Sequence, residues 1–167
     1  LRYNVDHLGH LHKSYPDRAA KLDWARQAGA AAVVSRSAES TSLPGLVVEN
    51  TTVALGQLAA HWRNRFDIPV IGVTGSNGKT TVKEMIAAIL AESGEVHASP
   101  GNFNNHIGVP LSLANAWQQA PAWIFEVGTS YPGEIKPLTE MVQPDLAILL
   151  NVHNAHIENF TSRDALI

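Results

Sequence analysis

The stretch "GSNGKTT", residues 75–81, holds two glycines, a lysine and two threonines in the order that a phosphate-cradling loop uses. Gly75 and Gly78 can take the positive φ angles that turn successive backbone N–H groups inward. Between them Ser76 and Asn77 supply short polar side chains. Lys79 offers a mobile positive charge to the outer phosphates, and Thr80 and Thr81 follow, the first with its hydroxyl where Mg2+ would sit. The strict spelling G-x-x-x-x-G-K-[ST] fails, because it requires glycine at position 73, which is Val. The shorter G-x-x-G-K-T keeps every working part. A tight strand-to-helix turn with a solvated lysine is the plainer reading; strand, loop, lysine, hydroxyls and amphipathic helix in succession favour a phosphate. A nucleotide bound with magnesium would need a carboxylate at the end of a neighbouring parallel strand, since ligands of such sheets gather at the carboxyl ends. Glu126 ends the apolar run "AWIFE", and His156 follows Asn151 within "NVHNAHIENF". Each could be a solvent-facing residue at a strand end; beside the loop, both are expected to hold metal.

The elements that position these residues are legible from period. The segment from Pro16 to Gly29 has helix punctuation at both ends. Residues 31–35 and 45–49 read as short buried strands separated by a Ser-rich turn. A helix follows over 50–66, capped by Asn50 or Thr51, with Leu55, Leu58, Ala59, Trp62 and Phe66 on one face. "DIP" at 67–69 breaks the pattern and sets an expected domain boundary between residues 66 and 67. Beyond it come a strand at 70–73, a helix over 81–94 with Val82, Met85, Ile86, Ile89 and Leu90 on one face, and a strand at 95–99. A helix near 109–116, a strand at 122–127, a helix near 134–142 and a strand at 146–152 complete the series. The expected fold is α/β: a small N-terminal α/β domain, then a P-loop ATPase domain with a mostly parallel sheet covered by helices on both faces.

Composition limits the partners. The chain has 167 residues and a formal charge of −3, which argues against a nucleic-acid binder, so any anion must be captured locally. No apolar run reaches the roughly 18 residues of a membrane span, and the start lacks a signal-peptide layout. The absence of cysteine leaves no disulfide framework and makes cytoplasm the default. Asp6, His7, His10 and His12 in "DHLGHLH" have ligand-like spacing, but no second cluster completes a zinc site, and a solvated terminus is the better reading.

Four segments together, "GSNGKTT" (75–81), "GNFNNHIGVPLSL" (101–113), "FEVGTSYPGEI" (125–135) and "NVHNAHIENF" (151–160), resemble the Mur ligases of peptidoglycan synthesis in order and spacing. G-x-x-G-K-T is that family's spelling of the loop. The stretch from Gly101 to Leu113 most resembles the branch that adds D-Ala-D-Ala. The resemblance implies an ATP-dependent ligase: ATP phosphorylates the carboxylate of a UDP-MurNAc-peptide, and the amine of D-Ala-D-Ala attacks the acyl phosphate to form an amide. It implies that Lys79 holds the outer phosphates, that Thr80 and Glu126 hold one Mg2+ and that His156 helps to hold a second. Asn102, Asn104, Asn105, Thr129 and Ser130 are candidates for lining the substrate channel, or equally for forming turns.

The resemblance further implies a monomer, with residues 1–66 as part of a UDP-sugar domain and 67–167 as a truncated ATP-binding domain, so the chain is expected to be a piece of a longer protein. Residues 1–20 lack the F-x-A-x-x-G and D-G-H features of the family's uridine site. The family's carbamoylated lysine would fall beyond Ile167. His153 stands where the family more often has a small residue. An unrelated P-loop kinase or NTPase, and a non-catalytic nucleotide-binding module, are the competing readings.

Overall fold

The computed structural model describes Gln27 and residues 29–37, 43–153 and 157–160. Almost all of the helix expected from Pro16 to Gly29, and the whole Asp6, His7, His10 and His12 group, lie outside the described residues. The chain divides into two compact units, Leu1–Ala54 and Leu55–Ile167.

In the first unit, strands β1 (Val33–Ser35) and β2 (Gly45–Val47) pair in parallel, with Val34 opposite Leu46. Both were expected to be buried, yet Leu46 and Val47 are more than half exposed. Two strands form too small a sheet to cover their own faces. Helix α1 (Thr51–Arg63) starts on Asn50, whose Oδ1 accepts from the Thr52 and Val53 amides at 2.9 and 3.2 Å. Asn50 therefore supplies the N-cap that satisfies the first-turn donors.

The second unit takes in the rest of α1. Its buried positions are Gly56, Ala59 and Arg63, whereas Leu58, on the expected apolar face, is exposed. The stripe is shifted because glycine admits the Met141 side chain and because Arg63 has backbone partners to reach. Its guanidinium donates to the carbonyls of Val142 (3.0 Å), Phe66 (2.8 Å) and Gln143 (3.1 Å), closing the ends of two helices at once. The units thus part after Ala54, upstream of the "DIP" break, with Ala59 and Arg63 built into the second unit's core.

Strands β3 (Val70–Thr74), β4 (His97–Ala98), β5 (Trp123–Glu126) and β6 (Leu146–Leu149) form a sheet in the order β4-β5-β3-β6, parallel throughout. Helices α2 (Lys79–Leu90), α3 (Gly108–Ala114) and α4 (Ile135–Val142) fill the crossovers. The architecture is mixed α/β with parallel sheets. Pro110 and Pro137 each take the third position of their helix, where no intrahelical amide bond is lost. β5 is wholly buried, as its continuous apolar run implies. β6 is not: Leu146 and Leu149 are more than half exposed, because this strand occupies the sheet edge.

Strand order decides where a ligand can sit. From β3 the chain crosses beyond β5 to β4, returns to β5, and then crosses β3 to reach β6. The carboxyl end of β3 therefore lies between those of β5 and β6, with Val73 beside Glu126 and Thr74 beside Leu149. Such a reversal opens a crevice at the strand ends.

Two predictions concern this frame. Arg63→Ala leaves three helix-end carbonyls without their donor and should cost about 3 kcal/mol in denaturant unfolding; Arg63→Lys, with one compact ammonium, should recover only part. The second involves His97, whose ring lies against Trp123 and Phe125 with Nε2 donating to the Ser112 carbonyl at 3.1 Å. Burial pushes this imidazole below its ordinary value, partly opposed by the Ser112 bond. The unfolded chain then takes up the proton first as pH falls. Stability should be full above about pH 6.5 and decline as the pH drops from there toward the lowered folded value. Unfolding curves on either side of that value should show the loss, and His97→Gln should remove its share.

Candidate active site

β3 ends at Thr74, and α2 begins at Lys79 after a four-residue loop. Gly75 (φ +137) and Gly78 (φ +85) occupy the region that side chains disfavour, and a Cβ on Gly75 would lie 3.1 Å from the Asn151 backbone. Gly78 caps α2 without any side-chain bond to the first-turn amides. The Lys79, Thr80 and Thr81 amides thus lie where helix donors lack intrahelical partners, which suits an anion. Lys79 folds its Nζ back on the Gly75 carbonyl (2.7 Å) and the Ser76 carbonyl (3.3 Å).

The loop is braced from β6. Asn151 Oδ1 accepts from the Asn77 amide and its Nδ2 donates to the Asn77 carbonyl, both at 3.0 Å. The Ser76 amide donates to the Asn151 carbonyl at 3.1 Å. Ser76 Oγ accepts from the His153 amide at 2.8 Å and donates to its carbonyl at 3.2 Å. This accounts for position 153, where only the backbone is used.

On the other side stands Glu126, with only 1 % of its surface exposed. Oε2 accepts from Thr80 Oγ1 and Oε1 from Asn104 Nδ2, each at 2.7 Å, while the Glu126 amide donates to Ser99 Oγ at 3.1 Å. Gly128 makes room for Asn104, since a Cβ there would fall 2.9 Å from Asn104 Cγ. The ion pairs given by Arg63, Lys83 and Lys136 do not involve Glu126. Both donors to this buried carboxylate are neutral, and hard oxygen ligands of this kind suit Mg2+. No group of three or more His, Cys, Asp or Glu forms a ready metal cage among the described residues; Mg2+ commonly uses one or two carboxylates with water and phosphate.

The profile of the Mur ligase middle domain matches residues 73–167. The chain belongs to the Mur ligase family. It is 44 % identical over 146 residues to the UDP-N-acetylmuramoyl-tripeptide--D-alanyl-D-alanine ligase of Haemophilus influenzae, covering 84 % of this chain and 32 % of that protein. Among solved structures it is similar to MurF from Acinetobacter baumannii (TM-score 0.76, 36 % identity, 80 % of this chain and 30 % of that one). It is also similar to the MurF ligase from Thermotoga maritima in complex with ADP (TM-score 0.77, 37 % identity, 86 % and 34 %). The chain spans less than a third of the length of the first curated relatives. Membership in the Mur ligases sets aside an unrelated P-loop kinase or NTPase.

The other expected site residues divide. Asn105 accepts from the Ile107 and Gly108 amides at 3.0 and 2.9 Å and so caps α3, and Asn102 is exposed. Thr129 Oγ1 donates to the Tyr131 carbonyl at 2.7 Å. The Ser130 amide donates to Glu134, whose carboxyl is held below the usual range chiefly by that bond. His156 lies outside the described residues. Three contributors escaped sequence reading: Ser99, Lys83 and the bracing amide of Asn151. Only Lys83 left a signal, a charged residue directly beside Val82 and three before Ile86 on the apolar side of the helix.

Asn151→Ala should release the loop without opening the core. Nucleotide affinity should fall about tenfold, equivalent to ~1.4 kcal/mol, while the melting temperature moves little; calorimetry and thermal unfolding measured together check both.

Proposed function

We propose that the full-length protein is an ATP-dependent amide ligase that joins D-Ala-D-Ala to a UDP-MurNAc-peptide in peptidoglycan precursor synthesis. The observation that carries this is the buried Glu126 carboxylate bonded to Thr80 and Asn104 beside the uncapped start of α2, in a chain whose relatives are named for that reaction. In this reading the ATP-binding part, with a P-loop at 75–81, takes in residues 67–167 together with the later turns of α1 that pack into the same core, and the residues before them belong to the α/β part that receives the UDP-sugar. The protein works as a cytoplasmic monomer, and it requires no nucleic acid. Among the described residues no helix is long and apolar enough to cross a membrane.

The chain's own groups then have defined tasks. The amides of Lys79, Thr80 and Thr81 receive the phosphates of ATP, with Ser76, Asn77 and the glycines shaping the cradle. Lys79 exchanges its loop carbonyls for the β- and γ-phosphate oxygens, a charge-assisted contact. Thr80 and Glu126 would hold Mg2+, which when bound would supply positive charge to offset the repulsion between the γ-phosphate and the incoming carboxylate. A carboxylate oxygen of the peptide attacks the γ-phosphorus and ADP leaves, giving an acyl phosphate. The D-Ala-D-Ala amine attacks the acyl carbon, loses a proton, and phosphate departs as the amide forms. Asn104 keeps the Glu126 carboxylate turned toward Thr80, and His156 would help to hold a second Mg2+. Asn102, Asn105, Thr129 and Ser130 border the acceptor's path.

Phosphate release by the full-length protein should require ATP, Mg2+, the UDP-MurNAc-peptide and D-Ala-D-Ala together. Lys79→Ala should reduce ATP affinity at least about tenfold through loss of its phosphate contacts. Release that continues without D-Ala-D-Ala, or unchanged affinity in Lys79→Ala, would count against the reading.

A further inference from the structure

Lys83 is a fully buried lysine to which the ligase reading gives no task. It lies three residues after Thr80 and four after Lys79, on the same side of α2. Its Nζ donates to the carbonyls of Ser99 and Gly101, the latter at 2.7 Å, and meets Glu84 Oε1 at 3.0 Å. Three acceptors match the three donors of an ammonium. Burying that charge is tolerable only with such partners. The two carbonyls belong to the segment that leaves β4 and leads to α3. From this segment Ser99 Oγ accepts the Glu126 amide and Asn104 Nδ2 donates to Glu126 Oε1. The Asn104 carbonyl accepts from the Gly128 amide at 2.8 Å, beyond the end of β5.

We propose that Lys83 is a positioning residue that ties the 99–104 segment to α2 and thereby fixes the Glu126 carboxylate opposite Thr80. The carboxylate is gripped from two sides, by Thr80 on α2 and by Asn104 on the segment, and Lys83 is the side chain that joins those sides away from the ligand. Without it, the segment keeps its β-ladder bonds at Ser99 but loses its hold at Gly101, three residues before Asn104. The phosphate-binding amides of α2 stay where they are. The effect should therefore appear in metal affinity and spare metal-free nucleotide affinity.

The inference rests on Glu126 being the carboxylate that holds Mg2+, and the test separates the two. In the full-length protein, Mg2+ is titrated against binding of a non-hydrolysable ATP analogue in wild type, Glu126→Gln, Lys83→Met and Lys83→Arg, with amide hydrogen exchange followed over residues 99–105. Lys83→Met should bind the metal-free analogue within about twofold of wild type and yet need about tenfold more Mg2+, the scale typical of residues that orient a metal ligand. Exchange in 99–105 should quicken, and Lys83→Arg should restore part of both. A normal Mg2+ requirement in Glu126→Gln overturns the Glu126 reading itself. A raised requirement in Glu126→Gln with a normal one in Lys83→Met overturns only the role of Lys83, as does an equal loss with and without Mg2+. If Lys83→Met does not fold, Asn104→Ala takes its place: a raised Mg2+ requirement supports the route through the segment, and a normal one overturns it.

Discussion

A carboxylate almost wholly removed from water at the end of an inner strand is the constraint around which the second unit is arranged. Burial of an ionised group is costly unless hydrogen bonds replace its hydration. Thr80 and Asn104 supply two such bonds, and Ser99 fixes the backbone that carries the group. These residues come from two successive connections of the sheet, Thr80 from the one between β3 and β4 and Ser99 and Asn104 from the one between β4 and β5, so the carboxylate is satisfied only when β3, β4 and β5 are in register. Satisfaction remains incomplete in charge, because both donors to the oxygens are neutral. The site thus combines a settled geometry with an unspent negative charge, which is the electrostatic condition for receiving a cation next to an anionic ligand.

The loop opposite obeys a different constraint. Its backbone must hold positive φ angles at Gly75 and Gly78 while keeping the amides of α2 unoccupied. Glycine permits such a shape but does not enforce it. Enforcement comes from the segment that follows β6, where Asn151 engages both backbone polar groups of Asn77 and the His153 backbone engages Ser76. Pre-formed donors lose less entropy on binding than donors that must be gathered. The bracing side chain lies two residues past the end of β6, the strand beside β3, so the shape of the loop depends on the pairing of those two strands.

The residues gathered at the carboxyl ends of β3 and β5 were the legible part. Glycine, lysine and threonine spacing marked the loop, and the end of an unbroken apolar run marked Glu126, because both signals are local. The parallel α/β frame was legible for the same reason, since continuous apolar strands alternate with helical periods. What the sequence could not show depended on neighbours. Leu146 and Leu149 read as core but lie on an edge strand. Met85 and Ile89 read as the buried side of α2, yet they are exposed, and Lys83 takes the interior instead. Asn105 looked like a candidate for contact with substrate and spends its side chain on the α3 cap. In each case the deciding partner lies on another element or turn, and no periodicity encodes it.

The position of Lys83 shows why propensity and polarity alone misjudge such a helix. A lysine is placed in the interior only where backbone carbonyls turn away from regular pairing, and the short β4, two residues long, leaves such carbonyls at Ser99 and Gly101. An apolar residue there would pack but would leave those carbonyls without a donor, at a cost of about 1–3 kcal/mol for each one that stays buried. The irregular segment and the buried ammonium therefore require each other. Because the same segment carries Asn104, the irregularity that breaks the strand early also lets the chain turn back over the end of β5. A longer β4 would satisfy its own carbonyls and would carry the asparagine past the carboxylate it serves.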